Sequence, residues 1–184
     1  MRIIRGKLKS RRFSVPKNFP SRPTTDYAKE GVFNLIENRY SLVDFDVLDL
    51  CAGTGNITFE FLSREAGKVT AVDKDFFCTK FIRQNAKELD VEEDLLVIKQ
   101  DIIQFLLKTT NQYDIIFADP PYALKFHHEI VEIVFQRNLL KENGVLIVEH
   151  GRETKLEHYP SFENKRLYGN VHFSFFSNDP KDDE

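Results

Sequence analysis

The sequence predicts a doubly wound α/β fold with a mostly parallel sheet of seven strands and a C-terminal antiparallel hairpin. Short runs rich in Val, Ile and Leu alternate with segments of helical periodicity along the 184 residues. Such alternation is typical of parallel strands joined by crossover helices. A glycine-rich turn follows the first run, which is where folds of this class bind nucleotide-type ligands. No internal repeat or long linker divides the chain.

Seven strands are predicted, five of them parallel. The parallel strands are brief apolar runs at residues 46–50, 68–73, 94–98, 113–118 and 144–148. The last two strands, at residues 165–168 and 171–176, are separated only by Gly169 and Asn170. Glycine in the first position of a two-residue loop suits a type II′ hairpin. We therefore expect the sheet to end in an antiparallel edge.

The helices are predicted from apolar side chains three and four residues apart. One stripe consists of Cys78, Phe81, Ile82, Asn85, Ala86 and Leu89, and another of Phe126, Ile130, Ile133 and Val134. A helix at residues 102–108 would begin after Asp101, since aspartate is a favoured N-cap. These stripes predict helices that cover the sheet with one face.

Charge is unevenly distributed along the chain. Residues 1–30 contain nine basic and two acidic side chains, for a net charge of +7, whereas the remaining residues carry −10. This asymmetry predicts a basic arm that contacts a polyanion. We therefore divide the chain into a basic arm or hairpin at residues 1–30, a domain at residues 31–178 and an acidic tail at residues 179–184.

The composition also predicts the compartment. No run of 18 apolar residues occurs, and the basic first residues precede no apolar segment. We therefore expect neither a membrane span nor a secretory signal, and a cytoplasmic protein. The two cysteines, Cys51 and Cys78, suggest neither a disulfide framework nor a metal cluster. We expect no metal cofactor.

The glycine-rich turn runs from Asp49 through Gly53 and Gly55. A dinucleotide fingerprint requires a third glycine, and Thr58 stands in its place. Asp73 ends the second strand, where a carboxylate can accept hydrogen bonds from ribose hydroxyls. The pattern favours a ligand with a ribose but no pyrophosphate. The turn resembles the first motif of methyltransferases that use S-adenosylmethionine (SAM).

That resemblance extends the predicted cofactor site beyond the turn. In such methyltransferases an aspartate after the third strand contacts the adenine amino group, and the next backbone N–H meets a ring nitrogen. The resemblance gives these roles to Asp101 and Ile102. The cofactor-binding residues predicted are Asp49, Cys51, Ala52, Gly53, Thr54, Gly55, Asn56, Asp73, Lys74, Asp101 and Ile102. The cofactor would be SAM and its product S-adenosylhomocysteine.

A second motif, Asp119-Pro120-Pro121-Tyr122, ends the fourth strand. Two prolines cannot continue a ladder, so they stiffen the loop and fix the Asp119 carboxylate and the Pro120 carbonyl as acceptors. Tyr122 supplies a flat face on which an unstacked base can rest. Two acceptors and an aromatic ring suit a planar amine. The motif resembles the hallmark of amino-group methyltransferases of DNA, RNA and glutamine, and we predict its four residues to be catalytic.

The N-terminal segments narrow the class. They read Arg2-Ile-Ile-Arg-Gly6, Arg11-Arg12-Phe, Arg22-Pro-Thr24-Thr-Asp26 and Lys29-Glu-Gly-Val-Phe33-Asn34. This start resembles the RsmD-type small-subunit (16S) rRNA guanine-N2 methyltransferases, which are class I SAM-dependent enzymes with a Rossmann-like fold. The resemblance continues through both motifs to Tyr168-Gly169 and covers nearly the whole chain in order.

The family implies transfer of one methyl group to the N2 amine of a single guanine in 16S rRNA, within an assembling or assembled small subunit. It places Arg22 and Thr24 in a loop that closes over the site. The predicted RNA-binding residues are Arg2, Arg5, Lys7, Lys9, Arg11, Arg12, Arg22 and Thr24. Their charge would neutralise phosphates. We expect a monomer with no membrane partner.

Three alternatives remain open from the residues alone. The Asp-Pro-Pro-Tyr motif accepts adenine, cytosine or guanine amines, so the choice of guanine rests on the resemblance. A DNA adenine or protein glutamine methyltransferase would carry similar motifs. A protein from another class, a non-catalytic ribosome assembly factor that binds SAM and RNA, would also fit the sequence.

Overall fold

A computed structural model describes residues 1–121 and 126–179. Within them, seven strands form a single sheet. The strands are β1 (Asp46–Leu50), β2 (Lys68–Asp73), β3 (Leu95–Lys99), β4 (Tyr113–Ala118), β5 (Leu140–His150), β6 (Phe162–Tyr168) and β7 (Val171–Ser177). Their order across the sheet is β3-β2-β1-β4-β5-β7-β6. Strands β1 to β5 pair in parallel, and β7 pairs antiparallel with both β5 and β6.

This topology confirms the predicted fold class. The sheet is Rossmann-like and mostly parallel, and it ends in an antiparallel C-terminal hairpin. Tyr168 pairs with Val171 across a two-residue loop. Gly169 has a φ of 62°, and Asn170 does not share its positive sign, as a type II′ turn requires.

Two strands begin earlier than predicted. β5 starts at Leu140, four residues before Gly144, because pairing with β4 continues through a bulge next to Tyr113. The polar residues at 141–143 have the composition of a turn, and Asn143 has a positive φ of 61°. β6 starts at Phe162, where pairing with β7 includes a similar register shift. Such bulges leave no clear signal in the period-two pattern.

In the described residues, five α-helices lie on the two faces of the sheet, and a short 3-10 helix (Glu92–Asp94) precedes β3. The α-helices are α1 (Asp26–Arg39), α2 (Asn56–Ser63), α3 (Phe76–Glu88), α4 (Ile102–Lys108) and α5 (Phe126–Gln136). The sequence interpretation did not include α1, whose first turn is capped by the Thr25 side chain. The predicted boundary after residue 30 falls inside this helix.

One apolar cluster packs against each face of the sheet. One joins α1, α2 and the N-terminal segment to residues such as Val47, Phe117 and Ile147. The other joins α4 and α5 to the alternate residues of the same strands. Of the helices that the structure describes, none is long and apolar enough to cross a bilayer. The carboxyl ends of β1, β2, β4 and β5 lie together at one edge, where this fold class binds ligands.

Candidate active site

A cavity of about 370 Å³ opens at the carboxyl ends of the parallel strands. Its volume falls within the range of small-molecule pockets, about 300–1,000 Å³. Its walls are formed by Pro20, Ser21, Arg22, Cys51, Gly53, Asp73, Lys74, Asp75, Cys78, Asp101, Ile102, Asp119, Pro120, Pro121 and Phe126. The structure thus brings both sequence motifs to one cavity. Tyr122 lies outside the described residues.

The glycine-rich turn owes its shape to left-handed backbone conformations. Cys51, Gly53 and Gly55 have φ angles of 61°, 55° and 76°. A Cβ on Gly53 would lie 2.3 Å from Oγ of Ser21, so a side chain there would collide with the N-terminal segment. The Gly53 N–H donates to the Asp73 carboxylate at 2.9 Å. The turn and the end of β2 are therefore held as one unit.

Asp73 and Asp101 lie on the cavity wall, each fixed by backbone donors. Asp73 accepts the N–H of Gly53 and, with its other oxygen, the N–H of Asp75 at 2.8 Å. Burial raises its pKa. Asp101 is the N-cap of α4 and accepts from Ile103 and Gln104. Each carboxylate oxygen can accept a second hydrogen bond, so both residues can also bind a ligand.

Asp49 is buried below the turn rather than on the wall of the large cavity. Its carboxylate accepts the Thr58 hydroxyl at 2.5 Å. Burial raises the pKa of Asp49 to about 7, with the charge of Asp73 adding to the effect and the Thr58 hydrogen bond opposing it. Thr58, which stands at the position of the missing third glycine, therefore serves as a partner for this carboxyl group.

Three further residues of the predicted cofactor site also lie behind the turn. Ala52, Thr54 and Asn56 line a small adjoining cavity that reaches Asp119. Asn56 is buried, and its amide donates to the carbonyl of Thr24 at 2.9 Å. The amide thus links the start of α2 to the N-terminal segment. Lys74 and Ile102 contribute to the wall of the large cavity.

The Asp119-Pro120-Pro121 segment continues directly from β4. The Asp119 N–H donates to the carbonyl of Leu50 at 3.2 Å, which extends the ladder by one residue before the prolines. In the described part of the chain, no group donates a hydrogen bond to the Asp119 carboxylate. Its acceptor oxygens therefore remain available to a ligand in the cavity.

A second acidic group raises the pKa of Asp119. Burial is the largest cause, followed by the charges of Glu149 and Asp49. Glu149 lies near the end of β5 and is buried. The sequence analysis did not select it, because a single acidic residue near a strand end carries no motif.

Cys51 lies on the cavity wall but is not activated as a nucleophile. Burial raises the pKa of its thiol, and the charges of Asp73 and Asp119 raise it further. A thiolate is the reactive form of cysteine. The geometry therefore favours Cys51 as a wall residue.

The first residues fold back as a hairpin. The Ile3 N–H donates to the carbonyl of Arg11 at 3.0 Å, and Arg2 and Arg12 form an antiparallel β-bridge. Ile3 and Phe13 are buried, and the Phe13 ring stacks on Phe59 at 5.2 Å. This basic segment therefore also packs against the hydrophobic core of the domain.

Six of the eight predicted RNA-binding residues lie on the hairpin. Arg2 and Arg5 form ion pairs with Asp26 and Glu37, at 3.0 and 2.9 Å. The other four, Lys7, Lys9, Arg11 and Arg12, are exposed. None of these four forms an ion pair with an acidic side chain of the described residues.

Arg22 and Thr24 lie in the segment that covers the cavity. Arg22 lines both the large cavity and the small one behind the turn. The Thr24 hydroxyl donates to the Glu149 carboxylate at 3.1 Å. The segment is thus attached to β5 on one side and to Asn56 on the other.

A buried network of ion pairs lies beneath the hairpin, and the sequence did not predict it. Lys29 Nζ lies 3.1 Å from the Glu60 carboxylate, which also pairs with Arg64 at 2.7 Å. The same carboxylate accepts the backbone N–H groups of Ile4 and Arg5. Charged residues at these positions resemble an exposed helix surface in sequence, so only the packing of the hairpin reveals their burial.

Comparison with known proteins gives the family. The model of the family called conserved hypothetical protein 95 matches residues 1–177.

The chain belongs to this family.

Two of its relatives are named ribosomal RNA small subunit methyltransferase D. The relative from Haemophilus influenzae is 32% identical over 85% of this chain and 81% of its own length. The relative from Escherichia coli K12 is 27% identical over 96% and 89%. The solved structure of the Escherichia coli protein yhhF superposes with a TM-score of 0.84 at 25% identity, covering 98% of this chain and 99% of that one. The resemblance to RsmD-type methyltransferases is confirmed.

The cavity of this member of the conserved hypothetical protein 95 family fits SAM, the cofactor of its fold. Gly53 lies on the wall of this cavity, and Asp73 and Asp101 present carboxylates to it. When bound, SAM supplies a methyl group activated by a sulfonium.

Proposed function

We propose that this protein transfers one methyl group from SAM to the exocyclic N2 amine of a single guanine in small-subunit (16S) rRNA. The observation that carries the proposal is the Asp119 carboxylate, which lies on the wall of the cofactor cavity with no hydrogen-bond donor among the described residues. The curated relatives named above supply the substrate class. The cavity would hold SAM through Gly53, Asp73 and Asp101.

The chemistry requires few groups from the protein. An exocyclic amine is a weak nucleophile because its lone pair is delocalised into the ring, whereas the methyl group of SAM is already activated. Asp119 and the carbonyl of Pro120 would hold the two N–H groups, aim the nitrogen lone pair at the methyl carbon and restrict motion. Asp119, whose pKa is raised, would then accept the proton that the product releases.

The choice of guanine rests on the resemblance to RsmD-type enzymes, because Asp-Pro-Pro-Tyr also suits the amino groups of adenine and cytosine. The Watson–Crick edge of guanine presents two neighbouring donors, N1–H and the N2 amine, and a carboxylate can accept from both. The base would leave its stack to enter the cavity, and Tyr122 would support it. The exposed cations of the hairpin would bind the surrounding phosphates of a single-stranded loop. The enzyme would act as a monomer on an assembling or assembled small subunit.

The test is methyl transfer from labelled SAM to small subunits and to free 16S rRNA, both from cells that lack this protein, followed by nucleoside mass spectrometry. We expect one N2-methylguanosine per subunit. Asp119→Ala should lower transfer by about 100-fold or more while SAM still binds in calorimetry. Glu163→Gln, which alters a buried acid at the far edge of the sheet, serves as the control and should retain transfer.

Absence of label in either RNA, with SAM bound, would contradict the proposal and favour DNA or protein substrates. Unchanged ribosome assembly with Asp119→Ala, together with no detectable transfer by the parent protein, would favour a non-catalytic assembly factor.

A further inference from the structure

Glu149 and Asp119 follow paired residues on neighbouring strands. β4 and β5 run parallel, and their register pairs Phe117 with Ile147 and Ala118 with Val148. Asp119 and Glu149 come directly after that last pair, and the charge of Glu149 acts on Asp119. Side chains alternate between the faces of a strand, so both carboxylates lie on the face that Phe117 and Ile147 occupy. This face is covered by α1 and the N-terminal segment.

The segment that covers the cavity is attached to this carboxylate. Oε2 of Glu149 accepts the hydroxyl of Thr24 at 3.1 Å. The next residue, Thr25, is the N-cap of α1, and the carbonyl of Thr24 accepts from Asn56. Glu149 therefore fixes the position at which the covering segment enters α1, next to Arg22 on the cavity wall.

Each element packed around Asp119 and Glu149 contributes residues to their surroundings. β1 contributes Asp49, the glycine-rich turn contributes Cys51, and the covering segment contributes Arg22. On the other side of Glu149, β7 places Phe173, which carries no charge. Glu149 is 5% exposed, so water screens its charge only weakly.

We propose that Glu149 is a positioning residue for methyl transfer, which holds the covering segment through Thr24 and makes Asp119 a stronger proton acceptor from the neighbouring strand. This rests on the function proposed above. In the transfer step, the amine nitrogen bonds to the methyl carbon as the carbon–sulfur bond breaks, and the electron pair stays on sulfur. The resulting ammonium gives its proton to the Asp119 carboxylate. A second negative charge nearby favours that proton on Asp119.

The pH profile of transfer distinguishes this arrangement from a purely structural one. Transfer requires an ionised Asp119, so the rate should rise with pH as this carboxyl group loses its proton. Glu149→Gln keeps the shape and removes the charge. We expect the acid limb to move to lower pH by about one pH unit and the maximal rate to fall about tenfold. Glu163→Gln removes a buried charge far from Asp119 and should leave the acid limb in place. An unmoved limb in Glu149→Gln would overturn the proposal.

Thr24→Val separates the two contributions. It removes the hydroxyl donor but keeps the Glu149 charge next to Asp119. We expect KM for the small subunit to rise about tenfold while the acid limb changes less than in Glu149→Gln. A loss of kcat with no change in KM would show that the covering segment is not positioned by this contact.

An experiment without RNA tests the role of Glu149 even where 16S rRNA is not the substrate. The γ-carboxyl carbon of Asp119 can be titrated by NMR in the SAM-free protein and assigned with Asp119→Asn. Its midpoint should fall in Glu149→Gln and stay unchanged in Glu163→Gln. If the midpoint does not move, the proposal fails even where methyl transfer to rRNA is demonstrated. If it moves but no RNA is methylated, the proposed substrate alone is wrong.

Discussion

At the scale of single residues, burial changes the chemistry of acids whose sequence motif looks ordinary. Asp49 follows an apolar run and lies under the glycine-rich turn, where it is 1% exposed. The Thr58 hydroxyl donates to its carboxylate. A buried carboxylate is costly to ionise even with such a neutral donor, which is why its pKa rises to about 7.

This shift predicts a pH-dependent stability. An unfolded aspartate titrates near pH 4, so the folded protein binds the proton more tightly than the unfolded chain does. The stability from Asp49 is fully present below about pH 4 and is lost as the pH rises to about 7. Asp49→Asn stays neutral throughout. We expect it to be more stable than the parent at pH 8 by roughly 2–4 kcal/mol, and by roughly a third of that difference at pH 5.

Urea unfolding at the two pH values measures this difference. A stability difference that is the same at pH 5 and pH 8 would show that Asp49 is not the titrating group. SAM binding should be measured on the same variant, because a gain in stability with a loss of affinity would mark Asp49 as part of the cofactor site.

At the scale of elements, a buried ion network attaches the N-terminal hairpin to the domain. Lys29 on α1 and Glu60 on α2 are fully buried, and Glu60 also accepts two backbone N–H groups of the hairpin. Burial lowers the pKa of Lys29, with the attraction of Glu60 opposing it. Lys29 donates as well to the carbonyl of Arg2 and to Asn56. One ammonium group thus joins the hairpin, α1 and the start of α2.

We expect Lys29→Met to lower the free energy of unfolding by about 3 kcal/mol, because it leaves buried acceptors without their cation. Lys141→Met is the matched control: Lys141 pairs with Asp46 and Asp114 while about one third exposed, and its loss should cost less than about 1 kcal/mol. Denaturant titration of both variants makes the comparison. Equal losses would show that burial of the network does not matter for stability.

At the scale of the whole molecule, the distribution of charge matters more than its sum. The formal net charge is −3, yet the hairpin exposes four cations while Arg2 and Arg5 are paired with acids. Cations already paired on the protein gain less from a phosphate. Arg11 and Arg12 have no such partner among the described residues, so RNA affinity should depend on them more than on exposed cations elsewhere on the surface.

The double variant Arg11→Ala and Arg12→Ala tests this. Each lost phosphate contact should reduce the slope of log affinity against log salt concentration by about 0.7–0.9. The control, Lys87→Ala with Lys108→Ala, removes the same charge from exposed ends of α3 and α4. Filter binding to small subunits across a salt series gives both slopes. A similar change in both variants would mean that net charge, rather than the hairpin, governs binding.

The fold class and the two motifs at the ligand edge could be predicted from local patterns in the sequence. Strand–helix alternation is local information, and so are the glycines at 53 and 55, the capping aspartate at 101 and the stiff Asp-Pro-Pro segment. Periodicity and turn chemistry act over a few residues, so they can be read without knowing the fold. The cavity confirms that these segments meet, because parallel strands bring their carboxyl ends to one edge.

Only the tertiary structure decided which charges are buried and which neighbours they have. Glu149 faces Asp119 because of the register between β4 and β5, and Lys29 faces Glu60 because the hairpin folds over α1 and α2. The members of each pair are separated by about thirty residues, and no local pattern links one member to the other. Burial and the charge of a neighbour set the energy of an ionised group. Both depend on how the chain packs. Packing places Glu149 near Asp119 at the candidate site and Lys29 beneath the hairpin.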